Sequence, residues 1–101
     1  MFEVTLLIPV KDNEGESFTP THHAQFEAAL LDAFGGFTRY GSATGGWADA
    51  GVVYADTLVI YAVAVGSIVD AAKIGTVAQF AKVHYRQLAV YVRYLGQAEV
   101  L

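Results

Sequence analysis

The hydrophobic period changes in a set order along this chain, and that order constrains the fold more than any other feature. Phe2, Val4, Leu6 and Ile8 alternate with Glu3, Thr5, Leu7 and Pro9. A period of two places one set of side chains on one face of a β-strand. Pro9 suits the strand end, because it has no N–H to give to a ladder. The run from Lys11 to Ser17 is charged and turn-forming, and reads as an exposed loop. Thr19 and Pro20 then open a helix, with a hydroxyl for the N-cap and proline at the first helical position. Phe26, Leu30 and Phe34, with Ala29 and Ala33 beside them, form its apolar stripe. Gly35-Gly36 ends it, since glycine takes the left-handed C-cap at little steric cost.

Phe37–Ala43 reads as a second strand. A loop spanning Gly45–Gly51 follows and carries Trp47 and Asp49. Val52–Val65, rich in Val, Ile, Tyr and Leu, is a third strand, with Ala55-Asp56 marking a candidate bulge or the strand's true start. Ser67 and Asp70 stand at capping-box spacing before a second helix that extends to about Arg86. Its expected inner stripe is Ile68, Ala71, Ala72, Gly75 and Ala78. Leu88, Val90, Val92 and Tyr94 alternate with Ala89, Tyr91, Arg93 and Leu95 as a last strand, extended by the tail to Leu101. The order β-α-β-β-α-β predicts one α+β domain over residues 1–101, of the ferredoxin-like split type. Right-handed crossovers around a central hairpin give a four-stranded antiparallel sheet in the order 4-1-3-2, with both helices on one face.

That arrangement leaves the other sheet face open, and composition says how it is covered. The chain is 54% hydrophobic and 16% charged, against roughly 25% charged in an average soluble domain. The apolar run Leu58–Val69 is too short for a membrane span, which needs about 20 residues. The expected open-face residues are Thr5 and Leu7 on strand one, Val59, Tyr61 and Val63 on strand three, and Tyr91 and Arg93 on strand four. A solvated face alternates to polar residues; this one does not, so a second copy of the chain is the expected partner. Glu3 and Arg93, on adjacent strands, are expected to pair.

The bulk numbers exclude several classes. Cysteine is absent, which removes disulfides, thiol nucleophiles and thiolate metal sites. The net charge is −4 and the basic residues are scattered, unlike a nucleic-acid surface. The N-terminus lacks a basic region ahead of its apolar run, so no signal peptide is read and a cytoplasmic location is expected. No cofactor and no metal site is implied. His22 and His23 read as polar residues at a helix start; His23 and Glu27 at i,i+4 lack a third ligand. His84 reads as a surface histidine near a helix end. The glycines around Phe37 and Trp47 lack the lysine and hydroxyl ending of a phosphate loop.

The candidate ligand site gathers around the glycine-flanked tryptophan: Thr38, Arg39, Trp47, Asp49, Tyr54 and Asp56. The reading that follows is a non-catalytic homodimeric module that binds a small molecule or a protein partner. The alternative is a small cofactor-independent enzyme of the dimeric α+β barrel type, with a cavity between the sheet and the Gly45–Gly51 loop. A subunit of a hetero-complex would account for the same apolar surface.

One set of residues carries a resemblance. Ile8-Pro9-Val10, Asp12-Asn13-Glu14-Gly15, the succession Phe34-Gly35-Gly36-Phe37-Thr38, Gly46-Trp47, and Tyr54-Ala55-Asp56 together resemble a family of small bacterial proteins of uncharacterised activity. The likeness runs from Met1 to about Val65. It implies a bacterial intracellular protein and draws attention to Thr38, Trp47 and Asp56, without supplying catalytic residues.

Overall fold

The computed structural model describes residues 1–97, apart from the side chains of Trp47, Ile68, Val69, Ala71, Leu95 and Gln97. The elements are β1 (Phe2–Pro9), α1 (Pro20–Phe34), β2 (Thr38–Asp49), β3 (Val52–Val65), α2 (Ile68–His84) and β4 (Tyr91–Gln97). The strands form one antiparallel sheet in the order β2-β3-β1-β4, which read from the other edge is 4-1-3-2. The chain therefore has the ferredoxin-like α+β fold.

The helix ends follow local chemistry. The Thr19 hydroxyl accepts from the His22 N–H, and Gly35 closes α1 at φ 76° while its N–H reaches the Leu31 carbonyl. Ser67 accepts from the Asp70 N–H at the start of α2. The core lies between the sheet and the helices: Val4, Leu6 and Ile8 from β1, Tyr61, Val63 and Val65 from β3, and Phe26 and Leu30 from α1. Helix α2 contributes Ile74, Val77, Ala81, and Tyr85 just beyond its end. This differs from the expected stripe. Ala72 and Gly75 are exposed and Ala78 only partly buried, because α2 is apolar around most of its circumference and its larger side chains take the core positions. Phe2, expected inward, is half-exposed at the end of the sheet.

The main departure is at the central hairpin. Residues 44–49 continue β2 as a paired strand, and only Ala50 and Gly51 form the turn. Both have positive φ, 51° and 80°, the signature of a two-residue type I′ hairpin. The expected Gly45–Gly51 loop is a ribbon strand because the facing residues 52–57 supply its ladder partners. β1 pairs with β3 only from Leu58 onward, so the hairpin runs past the sheet as a two-stranded arm. No bulge occurs at Ala55-Asp56; the register shift lies in β2, where the pairing passes from Tyr40 to Ser42 and skips Gly41. β4 begins at Tyr91, three residues later than the alternation predicts, and Leu88 is almost fully exposed. The tail at 98–101 lies outside the described residues. No helix among them is long and apolar enough to cross a membrane.

Candidate functional site

Cross-strand register decides which side chains share a face. Tyr61 stands opposite Leu6 and Val63 opposite Val4, so both join the core, and Val59 packs against it. These three are therefore not on the open face. The residues that replace them are Leu58, Ile60, Ala62 and Ala64, which pair with Pro9, Leu7, Thr5 and Glu3. Because strand three is apolar at odd and even positions alike, hydrophobicity cannot set its register; the β1 partners do. Tyr91 and Arg93 are on the open face as expected, opposite Leu7 and Thr5. Glu3 faces Gly96, not Arg93; the Arg93 guanidinium instead lies 6.0 Å from the centre of the Tyr91 ring. Thr5 and Ala62, facing each other on the central strands, are buried, and the Thr5 hydroxyl has no hydrogen-bond partner among the described residues.

A cavity of about 780 Å³ opens on this face where the hairpin arm leaves the sheet. Leu7, Leu58 and Tyr91 line its sheet end, Tyr54 and Asp56 its arm end, and Arg93 adds a cation. Gly45 lies in its wall, where a Cβ would stand 3.3 Å from the Leu58 methyl and press on it. Asp12, at the rim, is occupied in its own turn, accepting from the Glu14 and Glu16 N–H groups. Of the ligand-site candidates, Tyr54 and Asp56 thus meet at one cavity. Thr38 and Asp49 do not reach it, Trp47 pairs with Tyr54 through the backbone, and Arg39 faces the helices.

The helix side holds a polar cluster that local sequence reading does not find. Arg39 Nη1 and the Tyr61 hydroxyl both donate to Glu27 Oε2, at 2.8 and 2.7 Å. The hydrogen bond with Tyr61, and then the Glu27 charge, raise the Arg39 pKa. Burial and the Glu27 bond push the Tyr61 phenol up to about 12. Nearby, His23 Nδ1 lies 2.8 Å from the Tyr85 hydroxyl. That hydroxyl is buried and kept protonated by desolvation. With no other acceptor among the described residues, it donates to Nδ1, which leaves the neutral imidazole's hydrogen on Nε2. Burial, then the Arg39 charge, hold the His23 pKa below 6.5.

His22 and His84 are not simple surface residues either. Each donates from Nε2 to the other's backbone carbonyl at 2.7 Å, and their rings stack with centres 3.7 Å apart. Phe18 stacks on the outer side of His22 and Phe80 on that of His84, making a ring column that ties the start of α1 to the end of α2. The only sequence signal for this was positional: histidines at the first turn of one helix and the last turn of the other. Tyr85 could have been found from its spacing behind Ile74, Val77 and Ala81.

No family model matches the chain, and no curated protein matches it. Solved structures do. A phage SAM lyase in its apo state superposes with a TM-score of 0.72 at 11% identity, over 94% of this chain and 79% of that one. A divalent cation tolerance protein from Thermus thermophilus gives 0.69 at 13% identity, over 99% and 86%. The phage SAM lyase in complex with S-methyl-5'-thioadenosine gives 0.66 at 12%, over 94% and 80%. At such identities the likeness establishes the fold alone.

Proposed function

We propose that this protein is a self-associating module that binds a small molecule in the open-face cavity. The observation that carries the reading is the cavity itself. Its volume of about 780 Å³ falls within the range of roughly 300–1,000 Å³ typical of small-molecule sites. Its lining combines an apolar floor, Leu7 and Leu58, with tyrosines at both ends and charges of both signs, Asp56 and Arg93 among them. Such a lining favours a ligand with a flat ring and a polar or zwitterionic end, since rings stack on tyrosine and Arg93 and Asp56 orient the polar end. One protein of the same fold was solved with S-methyl-5'-thioadenosine, a molecule of that description and a reasonable first probe.

Isothermal titration of the intact chain with S-methyl-5'-thioadenosine tests this reading. Saturable binding is expected, weakened about tenfold in Tyr91→Ala by loss of a ring contact. Tyr91 is largely exposed, so this substitution leaves the core untouched. Saturable binding that Tyr91→Ala leaves unchanged would place the ligand elsewhere, and no binding of this or related nucleosides would overturn the assignment.

A further inference from the structure

A second, smaller cavity of about 280 Å³ lies on the helix side of the sheet, away from the open face. Val10, His23, Arg39, Gly41, Ser42 and Val59 line it. We propose that it is a binding site for a small organic carboxylate, with Arg39, Ser42 and His23 on the carboxylate and Val10 and Val59 against a short apolar tail.

The polar lining is rich in donors. Glu27 engages Nη1 of Arg39, but a guanidinium carries five N–H donors in a planar fork, so others remain for a bidentate ligand. Glu27 and Tyr61 also hold that fork in place, so little side-chain freedom is lost on binding. His23 gives its Nδ1 to Tyr85, which leaves the Nε2–H without a partner among the described residues. Ser42 adds a hydroxyl. Gly41, skipped in the β2–β3 pairing, lines the cavity with backbone alone, as the extra residue of a bulge released from the ladder. A Cβ built on Gly41 meets nothing within 4 Å, so the wall is open there and a ligand can enter.

Size and wall chemistry narrow the class. At about 30 Å³ for each water-sized group, the volume suits an acid of about eight non-hydrogen atoms or fewer. The apolar wall of Val10 and Val59 favours an aliphatic tail over a fully hydrated oxyanion such as phosphate. Binding should also take up protons. The groups that act on His23 are Glu27 and His22 from α1, Arg39 from β2, and His84 and Tyr85 around the end of α2. An added carboxylate stabilises the imidazolium against Arg39 and burial, so affinity rises as pH falls through the range where the complex, but not the free protein, is protonated.

The test is a titration of the ¹⁵N-labelled intact chain with sodium butanoate, followed through the Gly41 and Ser42 amides and the His23 ring nitrogens. Saturable shifts at these positions are expected, with affinity rising between pH 7.5 and pH 6 and falling about tenfold or more in Arg39→Gln. Ser42→Val narrows the cavity without touching the Arg39–Glu27 pair, and should weaken binding in a chain whose other resonances are unchanged. Butan-1-ol and inorganic phosphate are the comparison probes, and neither is expected to saturate. Shifts that grow without saturation, butanoate affinity unchanged in both variants, or saturation by phosphate in place of butanoate would each overturn the assignment.

Discussion

His23 is the side chain whose environment departs most from what its neighbours in sequence suggest. It belongs to the first turn of α1, yet it accepts from a buried tyrosine beyond the far end of α2 and faces a cation from β2. Burial and Arg39 lower its pKa below 6.5 in the folded chain. The unfolded chain therefore binds a proton below about pH 6.5 that the folded chain refuses. The contribution is fully present above that pH and is lost as pH falls toward the folded value. Stability should drop on acidification by at most about 1.4 kcal/mol per pH unit from this residue. His23→Gln keeps an acceptor for Tyr85 and removes the titration. Urea midpoints measured from pH 7.5 to pH 5 should show a shallower slope in the variant, and equal slopes would assign the acid sensitivity to another group.

At the scale of elements, the hairpin arm is the feature that makes a cavity out of a flat sheet face. Beyond Leu58 its two strands pair with each other, save for one bond from the Val10 N–H to the Thr57 carbonyl, and a two-stranded ribbon is marginal by itself. Its turn uses Ala50 at φ 51°, a conformation that costs a residue with a Cβ roughly 1–2 kcal/mol. Asparagine tolerates that region, and Asn-Gly is the preferred type I′ pair. Ala50→Asn should raise stability by about 0.5–1 kcal/mol, read as a higher urea midpoint with the denaturant slope unchanged. A midpoint that stays the same or falls would mean the turn is not type I′ in solution.

For the molecule as a whole, the open face and the arm leave apolar surface uncovered. Tyr91 is 61% exposed and Val53 79%, on a chain with only 16% charged residues. A second copy is the proposed cover. Light scattering on the eluting protein should give the mass of two chains, and Tyr91→Glu should give one chain with an unchanged circular dichroism spectrum, because a desolvated carboxylate cannot remain at an apolar contact. A variant that keeps the parent mass would remove the open face as the interface. Tyr91 lines the cavity and the proposed interface alike, so the mass of Tyr91→Ala is measured beside its titration, and a loss of affinity at unchanged mass belongs to the ligand contact.

Local signals were enough for the order of elements. Thr19-Pro20 and Gly35 bound α1, Ser67 opens α2, and the alternation of Phe2–Pro9 sets one strand, because caps and periods act over a few residues and need no distant partner. Right-handed connections then determined the strand order. The sequence could also place Leu7, Tyr91 and Arg93 on the open face, since their strands alternate. Other features required the tertiary structure. Tyr61 could face either way until Leu6 paired with it, and the glycines and Trp47 of 44–49 read as a loop until residues 52–57 gave them a ladder. The Glu27–Arg39–Tyr61 cluster, the His23–Tyr85 bond and the His22–His84 stack join residues 12 to 62 positions apart. Hydrogen bonds and ring contacts act across a few ångströms of space, and only the closed fold decides which residues come that near.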